Sequence, residues 1–276
     1  MKKKITLSKD DKNFFKKNGY LIYKNYLNKD KIKSIKVKIP KIFDGYYDTG
    51  ISPDKVKWDK FNKKKIPRQL CNVWKSNKSL RNIITNRSLA EIAAKLMGWS
   101  GIKLGQDSLM WVPPLNGGVS MHQDNPYQDW HTRKQTITCI IALTKISEKS
   151  SGIQFLKSSH LTKKSKPIKY FFNGKKYDYT IKKNSLKNYE KIFMIGDVGT
   201  ISFHHGNIWH GSDINNSSSD RVSISIHYIP LDSKYSKNIK HPIYSRYKKF
   251  NSNKMDENFF PILWSKGKNK RSNFLT

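Results

Sequence analysis

Met121-His122-Gln123-Asp124 is the stretch that decides the fold, and a second histidine motif, Trp209-His210-Gly211-Ser212, follows far downstream. His122 and Asp124 are two residues apart, and on an extended strand residues i and i+2 point to the same side. An imidazole and a carboxylate would therefore leave one face together and could share a metal ion. With His210 the set becomes two histidines and one carboxylate, which is typical of non-haem Fe(II) oxygenases.

The H-x-D triplet alone is a weak signal, because such triplets occur by chance. A surface histidine beside a turn aspartate would also explain it, since Asn125-Pro126 follows at once. The later His-Gly-Ser and Arg221, each at the end of a β-like run, strengthen the metal-site interpretation. Arg221 lies eleven residues after His210, and an arginine there could hold a dicarboxylate by two parallel hydrogen bonds.

Over most of its length the chain resembles the phytanoyl-CoA dioxygenase family of Fe(II)/2-oxoglutarate-dependent oxygenases. The resemblance implies a mainly β fold with flanking helices, whose core is a double-stranded β-helix (a cupin-like jelly roll). The matching residues are His122-Gln123-Asp124, 137–144 (ITCIIALT), 151–160 (SGIQFLKSSH), Gly196-Asp197, and His210-Gly211-Ser212 with Asn215 and Arg221. The departures are Lys157-Ser158, where the family often has Pro-Gly, and Ile140, where some members have tryptophan.

The resemblance also implies a site and a reaction. His122, Asp124 and His210 would carry Fe(II), while Arg221 and Ser212 would hold the far carboxylate of 2-oxoglutarate. O2 would be the other co-substrate, and the product would be a small molecule hydroxylated at a C–H bond. Related halogenases have a small residue in place of the carboxylate, so Asp124 favours hydroxylation.

Polar residues on two flanking segments are further candidates for ligand contacts. Gln106 and Ser108 share one face of a predicted strand that lines the pocket in related enzymes. Gln106 could therefore contact substrate or co-substrate, or could simply face solvent. Residues 41–78 are expected to be irregular and to cover the active-site mouth, and from there Arg68 or Gln69 could reach the co-substrate.

Aromatic and histidine side chains near the motifs have open roles. Three of them could stack on a substrate or pack at the barrel rim (Tyr127, Trp130 and His131). His160 lies outside the order of the ligand motif and has no assigned role. His204 and His205 are expected to be separated from the site by the turn at Gly206.

The net charge is +34, with 54 Lys and Arg against 20 Asp and Glu. Such a charge favours an anionic small-molecule substrate or a nucleic-acid partner. Codon bias toward A/T would also produce it, since the lysines are spread over the whole length. The basic, tyrosine-rich insertion at 161–191, with a predicted hairpin turn at 172–175, suits either a lid loop or a surface for single-stranded nucleic acid. The alternative function is thus a basic β-barrel that binds nucleic acid or anionic ligands without catalysis.

One domain, 1–276, is expected from the length. It would comprise an N-terminal helical region (about 1–100), a jelly-roll core (about 101–230) containing the insertion, and a C-terminal extension (about 231–276) that wraps the barrel and then frays. Cys71 and Cys139 give no disulfide framework. Because residues 1–11 lack an apolar signal region and no apolar run is long enough to span a bilayer, we expect a cytoplasmic protein.

Hydrophobic periodicity predicts three helices and six strands outside the metal motifs. Ser8 should cap a helix over Lys9 to Lys17, Pro40 should end one over 29–38, and Gly98 should end one over 79–97. The predicted strands cover residues 20–23, 104–112, 136–144, 152–156, 200–204 and 222–228.

Overall fold

The computed structural model describes residues 6–57, 66–168, 180–181, 183, 185–239, 241–267 and 271–275. The α-helices in this part of the chain are α1 (Lys9–Asn18), α2 (Lys29–Lys36), α3 (Ile39–Phe43), α4 (Lys78–Ile84) and α5 (Arg87–Met97). The strands are β1 (Tyr20–Tyr23), β2 (Lys55–Lys57), β3 (Arg68–Cys71), β4 (Gly101–Val112), β5 (Ile137–Ala142), β6 (Gln154–Leu156), β7 (Lys191–Phe193), β8 (Ile201–His205), β9 (His210–Gly211), β10 (Arg221–Pro230) and β11 (Ile262–Ser265).

The helix boundaries follow from capping residues. Ser8 forms a reciprocal capping box with Asp11 at the start of α1, and Gly19 ends that helix in the left-handed conformation. Two predicted boundaries were wrong. Pro40 does not end a helix but lies in the first turn of α3, where no N–H is needed. The predicted helix 79–97 is divided into α4 and α5, because the side chain of Asn86 caps a new helix by accepting from Leu89 N.

Two antiparallel sheets form the jelly roll, as predicted. The larger sheet has the order β1-β8-β5-β10-β4-β3-β2, and β11 pairs with the first residues of β4; the smaller sheet has the order β7-β6-β9. Two strands lie in the region predicted to be irregular, β2 and β3. The C-terminal tail, predicted to wrap the barrel and then fray, adds β11 to the sheet.

The two faces of the larger sheet differ in chemistry, as strand β10 shows. Its outer face is apolar and buried in the main core with the helices (Val222, Ile224, Ile226 and Tyr228). Its inner face is polar and lines a cavity (Arg221, Ser223, Ser225 and His227). Helices therefore cover one side of the sheet and leave the other for a ligand site.

Neither cysteine takes part in a disulfide in the described structure. Cys71 and Cys139 are both buried and unpaired, and Cys139 packs in the main core. Across the described residues, no helix has the length and apolarity that crossing a bilayer requires.

Candidate metal centre and co-substrate site

His122 and His210 face each other across an isolated antiparallel bridge. The backbone N–H of each donates to the carbonyl oxygen of the other, at 2.9 Å in both directions. Asp124 reaches the same point differently from the prediction, because its backbone is helical (φ −80°, ψ −39°) and opens a 3-10 turn over Asn125–Tyr127. The assumption of one extended strand through Asp124 was therefore wrong, although its carboxylate and His122 do meet.

The three predicted ligand side chains converge at one buried point. Asp124 Oδ1 lies 3.4 Å from His122 Nε2 and 3.5 Å from His210 Nε2. One ligand atom from each residue can be chosen so that all lie within 4.8 Å of one another. The donor set of two imidazole nitrogens and one carboxylate oxygen fits a non-haem iron ion and leaves coordination positions open.

Backbone carbonyls fix which nitrogen each histidine presents. His122 Nδ1 lies 2.8 Å from the Ser120 carbonyl oxygen, and His210 Nδ1 lies 3.0 Å from the Ile208 carbonyl oxygen. Each Nδ1 therefore carries the proton and donates, so Nε2 presents its lone pair toward Asp124. Burial and the neighbouring His122 imidazole hold the pKa of His210 well below its usual range, so its ring stays neutral.

The other oxygen of Asp124 is held by hydrogen-bond donors. Thr138 Oγ1 donates to Oδ2 at 2.6 Å, and His204 Nε2 lies 3.3 Å from the same oxygen. His227 Nε2 is 3.7 Å away. Burial raises the pKa of Asp124, but the hydrogen bonds that the carboxylate accepts outweigh this effect and hold the pKa well below its usual range. The carboxylate is thus ionised and oriented before any metal binds.

The sequence interpretation missed His204 and His227. It separated His204 from the site by the turn at Gly206, but the sheet register places His204 opposite Thr138, and Thr138 opposite His227. These three side chains therefore form one row across the inner face of the sheet. Alternate side chains along β8 and β10 point to the inner face of the sheet. Combined with the strand pairing, this alternation could have predicted both histidines.

A buried arginine lies at one end of the cavity. Arg221 Nη1 donates to the Ser150 carbonyl oxygen at 2.7 Å, and Nη2 donates to Ser212 Oγ at 3.1 Å. Burial lowers the pKa of Arg221 to about 10, so the guanidinium remains charged at neutral pH. Ser212 Oγ also accepts from Val119 N at 3.0 Å, which leaves its own O–H to donate to a ligand.

Gly118 permits this arrangement. A Cβ at position 118 would fall inside contact distance of both the carbonyl oxygen and the Oγ of Ser212. The loop before His122 can therefore pass close to Ser212 only with glycine at this position.

The point where His122, Asp124 and His210 converge, called the metal point below, shares one cavity of about 440 Å³ with Arg221. The described residues that line it include one carboxylate, Asp124, and two cations, Arg221 and Lys55. Gln106 and Gln69 line it, and Gln69 Nε2 donates to Ser108 Oγ at 3.0 Å. Most of the remaining lining is apolar or hydroxyl-bearing (Met110, Val112, Val119, Ile140, Ile146, Ile153, Ser223 and Ser225).

Several candidate residues lie elsewhere. Arg68 stacks its guanidinium 4.4 Å from the ring centroid of Trp111 and is not part of the cavity lining. His160 Nε2 bonds the Lys16 carbonyl oxygen at 3.0 Å, which is a structural role. His131 is fully buried and is not part of the cavity lining.

Tyr127 and Trp130 do line the cavity, and the ring of Tyr127 meets that of His122 edge-on at 6.2 Å. The start of the insertion rests on this motif, since Ser165 N donates to Gln123 Oε1 at 2.6 Å and Ile168 N donates to the Tyr127 hydroxyl at 2.8 Å. The start of the insertion therefore lies against the residues that neighbour His122 and Asp124. The predicted hairpin turn at 172–175 lies outside the described residues.

A jelly roll that brings two histidines and one carboxylate to a buried point, beside a buried arginine, defines an Fe(II)/2-oxoglutarate-dependent oxygenase. The sequence agrees with this class. The chain belongs to the phytanoyl-CoA dioxygenase (PhyH) family, whose profile matches residues 15–223. The resemblance inferred from the sequence is thereby confirmed.

Comparison with known proteins gives the same class. A curated relative from Stutzerimonas stutzeri, a probable alpha-ketoglutarate-dependent hypophosphite dioxygenase, is 22% identical over 78% of this chain and 76% of its own. The carbocyclase SnoK from nogalamycin biosynthesis is similar in structure, with a TM-score of 0.68, 17% identity, and coverage of 93% of this chain and 96% of its own. EctD from S. alaskensis, solved with 2-oxoglutarate and 5-hydroxyectoine, has a TM-score of 0.70, 13% identity, and coverage of 92% and 88%.

Proposed function

We propose that this enzyme oxidises a small anionic substrate, by hydroxylation of a C–H bond where the substrate is organic, and that His122 Nε2, Asp124 Oδ1 and His210 Nε2 hold its Fe(II). One observation carries the ligand assignment: both histidines have Nδ1 tied to a backbone carbonyl and Nε2 within 3.5 Å of one carboxylate oxygen. When bound, iron would supply the oxidising chemistry by which substrate, 2-oxoglutarate and O2 give oxygenated substrate, succinate and carbon dioxide.

Arg221 and Ser212 would bind the far carboxylate of 2-oxoglutarate. Two nitrogens of the guanidinium already donate to protein oxygens, which fixes the plane of the fork and leaves further N–H donors for a carboxylate. The Ser212 hydroxyl adds a neutral donor beside it. The apolar side chains around this end exclude water and strengthen the charge pairing.

The surrounding residues would keep the metal ligands in position. Thr138 and His204 hold Asp124 Oδ2, which turns Oδ1 toward the two histidines. Tyr127 and the start of the 161–191 insertion cover the metal motif and limit solvent access. The carboxylate of Asp124 supports hydroxylation rather than halogenation, as the family resemblance implies.

The anionic character of the substrate is supported by two findings. The cavity lining described above includes a second cation besides Arg221, and the curated relative is named for hypophosphite, an anion. The alternative of a basic barrel that binds nucleic acid without catalysis is disfavoured by the complete, ordered donor set. The cytoplasmic location and the single-domain organisation remain part of this proposal.

Succinate formation tests the proposed function. Anaerobically loaded Fe(II) protein should convert 2-oxoglutarate slowly to succinate on admission of O2, and hypophosphite can be added to detect coupled turnover. His122→Ala and Asp124→Ala should lose iron and turnover, whereas Arg221→Ala should lose 2-oxoglutarate turnover and keep iron.

His160→Gln is the matched control, since it removes a histidine outside the site and should keep both properties. A folded wild-type protein that binds no iron and makes no succinate would overturn the proposal. Survival of turnover in Arg221→Ala would overturn the co-substrate assignment alone.

A further inference from the structure

The cavity has a second polar end, remote from Arg221. On the paired strands β10 and β4, Arg221 lies opposite Val112, and His227 lies opposite Gln106. These pairs are six residues apart along each strand, which corresponds to about 20 Å of extended chain. Gln106 therefore cannot contact the carboxylate that Arg221 holds, and it lies level with His227 beside the metal point.

Lys55 provides a cation on this side of the cavity. It lies opposite Cys71 on β3, which in turn lies opposite Ser108 on β4. Its side chain is exposed and lines the cavity mouth. Burial raises the pKa of the Cys71 thiol, and the nearby charge of Lys55 lowers it. Burial lowers the pKa of His241, and the charge of Lys55 lowers it further. Lys55 is thus electrostatically coupled to two groups at this end.

His241 is a fixed donor at the same end. The backbone N–H groups of Ile243 and Tyr244 donate to its Nδ1 at 3.2 and 3.3 Å. The neutral ring therefore carries its proton on Nε2, the nitrogen turned away from these amides. The ring stacks on Tyr244 at 4.4 Å with an interplanar angle of 20°, and it lines the cavity.

Gln106 is oriented by the same tyrosine. The Tyr244 hydroxyl donates to Gln106 Oε1 at 2.8 Å, which engages the acceptor side of the amide. The Nε2 group contacts Cys71 Sγ at 3.7 Å, a weak interaction, and has a second N–H to offer. Tyr244 thus fixes one donor through its ring and another through its hydroxyl.

This end of the cavity has donors and a positive charge but no carboxylate of its own. Among the described lining residues, the one carboxylate is Asp124, whose oxygens face the histidines and Thr138. Asp129 raises the pKa of His241, but it is exposed and is not part of the lining. A ligand that completes this end must therefore bring acceptor oxygens and negative charge.

We propose that Lys55, His241 and Gln106 form a subsite for the oxyanion head group, a carboxylate or a phosphorus oxyanion, of the primary substrate. This inference rests on the proposed function, because it assigns Arg221 to 2-oxoglutarate. The subsite gives two anions separate positions in one cavity. Since Gln106 lies in the same row as His227 and Thr138, a head group held there places the rest of the substrate beside Asp124.

Calorimetric titration of the anaerobic Fe(II) protein tests the subsite. The protein is first titrated with 2-oxoglutarate, which fills the Arg221 end, and then with methylphosphonate or propionate as probes of the two oxyanion types. The wild-type protein should bind at least one of these two probes saturably. Lys55→Met should weaken that binding at least about tenfold, the loss expected for one charge-assisted hydrogen bond.

Two further variants distinguish a specific loss of probe binding from a general effect of substitution. His241→Asn keeps an acceptor near Ile243 N and Tyr244 N but loses the Nε2 donor, so it should also weaken the probe and leave 2-oxoglutarate binding unchanged. Lys31→Met removes an exposed lysine on α2 and should change nothing.

The titration distinguishes failure of the subsite from failure of the proposed function. If 2-oxoglutarate binds but neither probe does, or if Lys55→Met and Lys31→Met bind the probe as tightly as wild type, the subsite is overturned and the proposed function stands. If 2-oxoglutarate itself fails to bind the iron-loaded protein, the proposed function fails and the subsite falls with it.

Discussion

Thr138 contacts the oxygen of Asp124 that faces away from both histidines of the candidate metal centre. Its hydroxyl donates to that oxygen at 2.6 Å, and both side chains are buried. A carboxylate that must present one oxygen to a metal loses affinity when the other oxygen can rotate. Partners of metal ligands typically contribute one to two orders of magnitude in affinity.

Thr138→Val should therefore weaken Fe(II) or Co(II) binding about tenfold or more, and competition with a chelator would measure this. Thr136→Val is the matched control, because Thr136 also donates a buried hydrogen bond, to the Tyr228 carbonyl oxygen at 2.9 Å, without touching Asp124. Thr136→Val should lower the unfolding temperature and leave metal affinity intact. Equal metal affinity in the two variants would contradict the positioning role of Thr138.

Residue patterns predicted that His122, Asp124 and His210 belong to one site, but they did not predict the side chains that contact these three. The three residues are recognisable because two histidines and one carboxylate in that order are typical of a non-haem iron site. His204 was dismissed because chain distance to His210 was weighed instead of strand pairing. Its neighbour across the sheet, Thr138, is 66 residues away in sequence, and only the register reveals that they meet.

At the scale of elements, strand β4 carries a buried acid on the face opposite the cavity. Asp107 is fully buried and accepts from Val73 N at 3.0 Å and from Trp74 N at 3.4 Å. Burial raises its pKa from 3.8 to about 8, although these amides oppose the shift. The folded protein therefore binds a proton here over a pH range where the unfolded chain does not.

The free energy of unfolding should consequently fall as pH rises from about 4 to about 8 because of this group, with a slope approaching about 1.4 kcal/mol per pH unit. Asp107→Asn cannot ionise and keeps an acceptor oxygen, so it should remove this contribution. Urea unfolding of both proteins across that range would measure the difference. Asp48→Asn, at an exposed carboxylate that accepts from Lys78 N, is the control.

A wild-type slope that persists unchanged in Asp107→Asn would contradict this expectation. Burial lowers the pKa values of His131 to about 3 and of His205 to about 4, and these groups act in the opposite direction. They remain neutral in the fold while the unfolded chain gains protons, so they destabilise the protein as pH falls below about 6.5. The comparison between variants therefore isolates Asp107.

Helices and strands that have their own caps or apolar patterns could be predicted from the sequence. Strands that depend on pairing with another strand could not. Helix α1 and strand β1 have caps or clear apolar runs, and their predicted bounds were right to within one residue. Strands β2 and β3 are short, and pairing accounts for both of them, because β3 pairs with β4 and β2 pairs in turn with β3. Strand β11 likewise depends on pairing with the start of β4, beyond the part of β4 that pairs with β3, and no local pattern in the tail indicates this.

At the scale of the whole molecule, the net charge is +34. The excess positive side chains repel one another in the folded state and destabilise it. Raising ionic strength from about 0.02 M to about 0.3 M shortens the screening length severalfold. The unfolding temperature should therefore rise by several degrees with NaCl, as measured by calorimetry. KCl should act equally if screening is the cause, and an unchanged or lower unfolding temperature would contradict this explanation.

The C-terminal segment is fastened to the opening of the cavity from outside the jelly roll. Asp54, just before β2, accepts from Lys75, Arg246 and Tyr247, and the same segment supplies His241 and Tyr244. The family profile ends at residue 223, before this segment begins. The proposed metal ligands and part of the proposed oxyanion subsite are thus encoded in different stretches of the gene. Divergence at the 3′ end could retarget such an enzyme while its inherited chemistry stays the same.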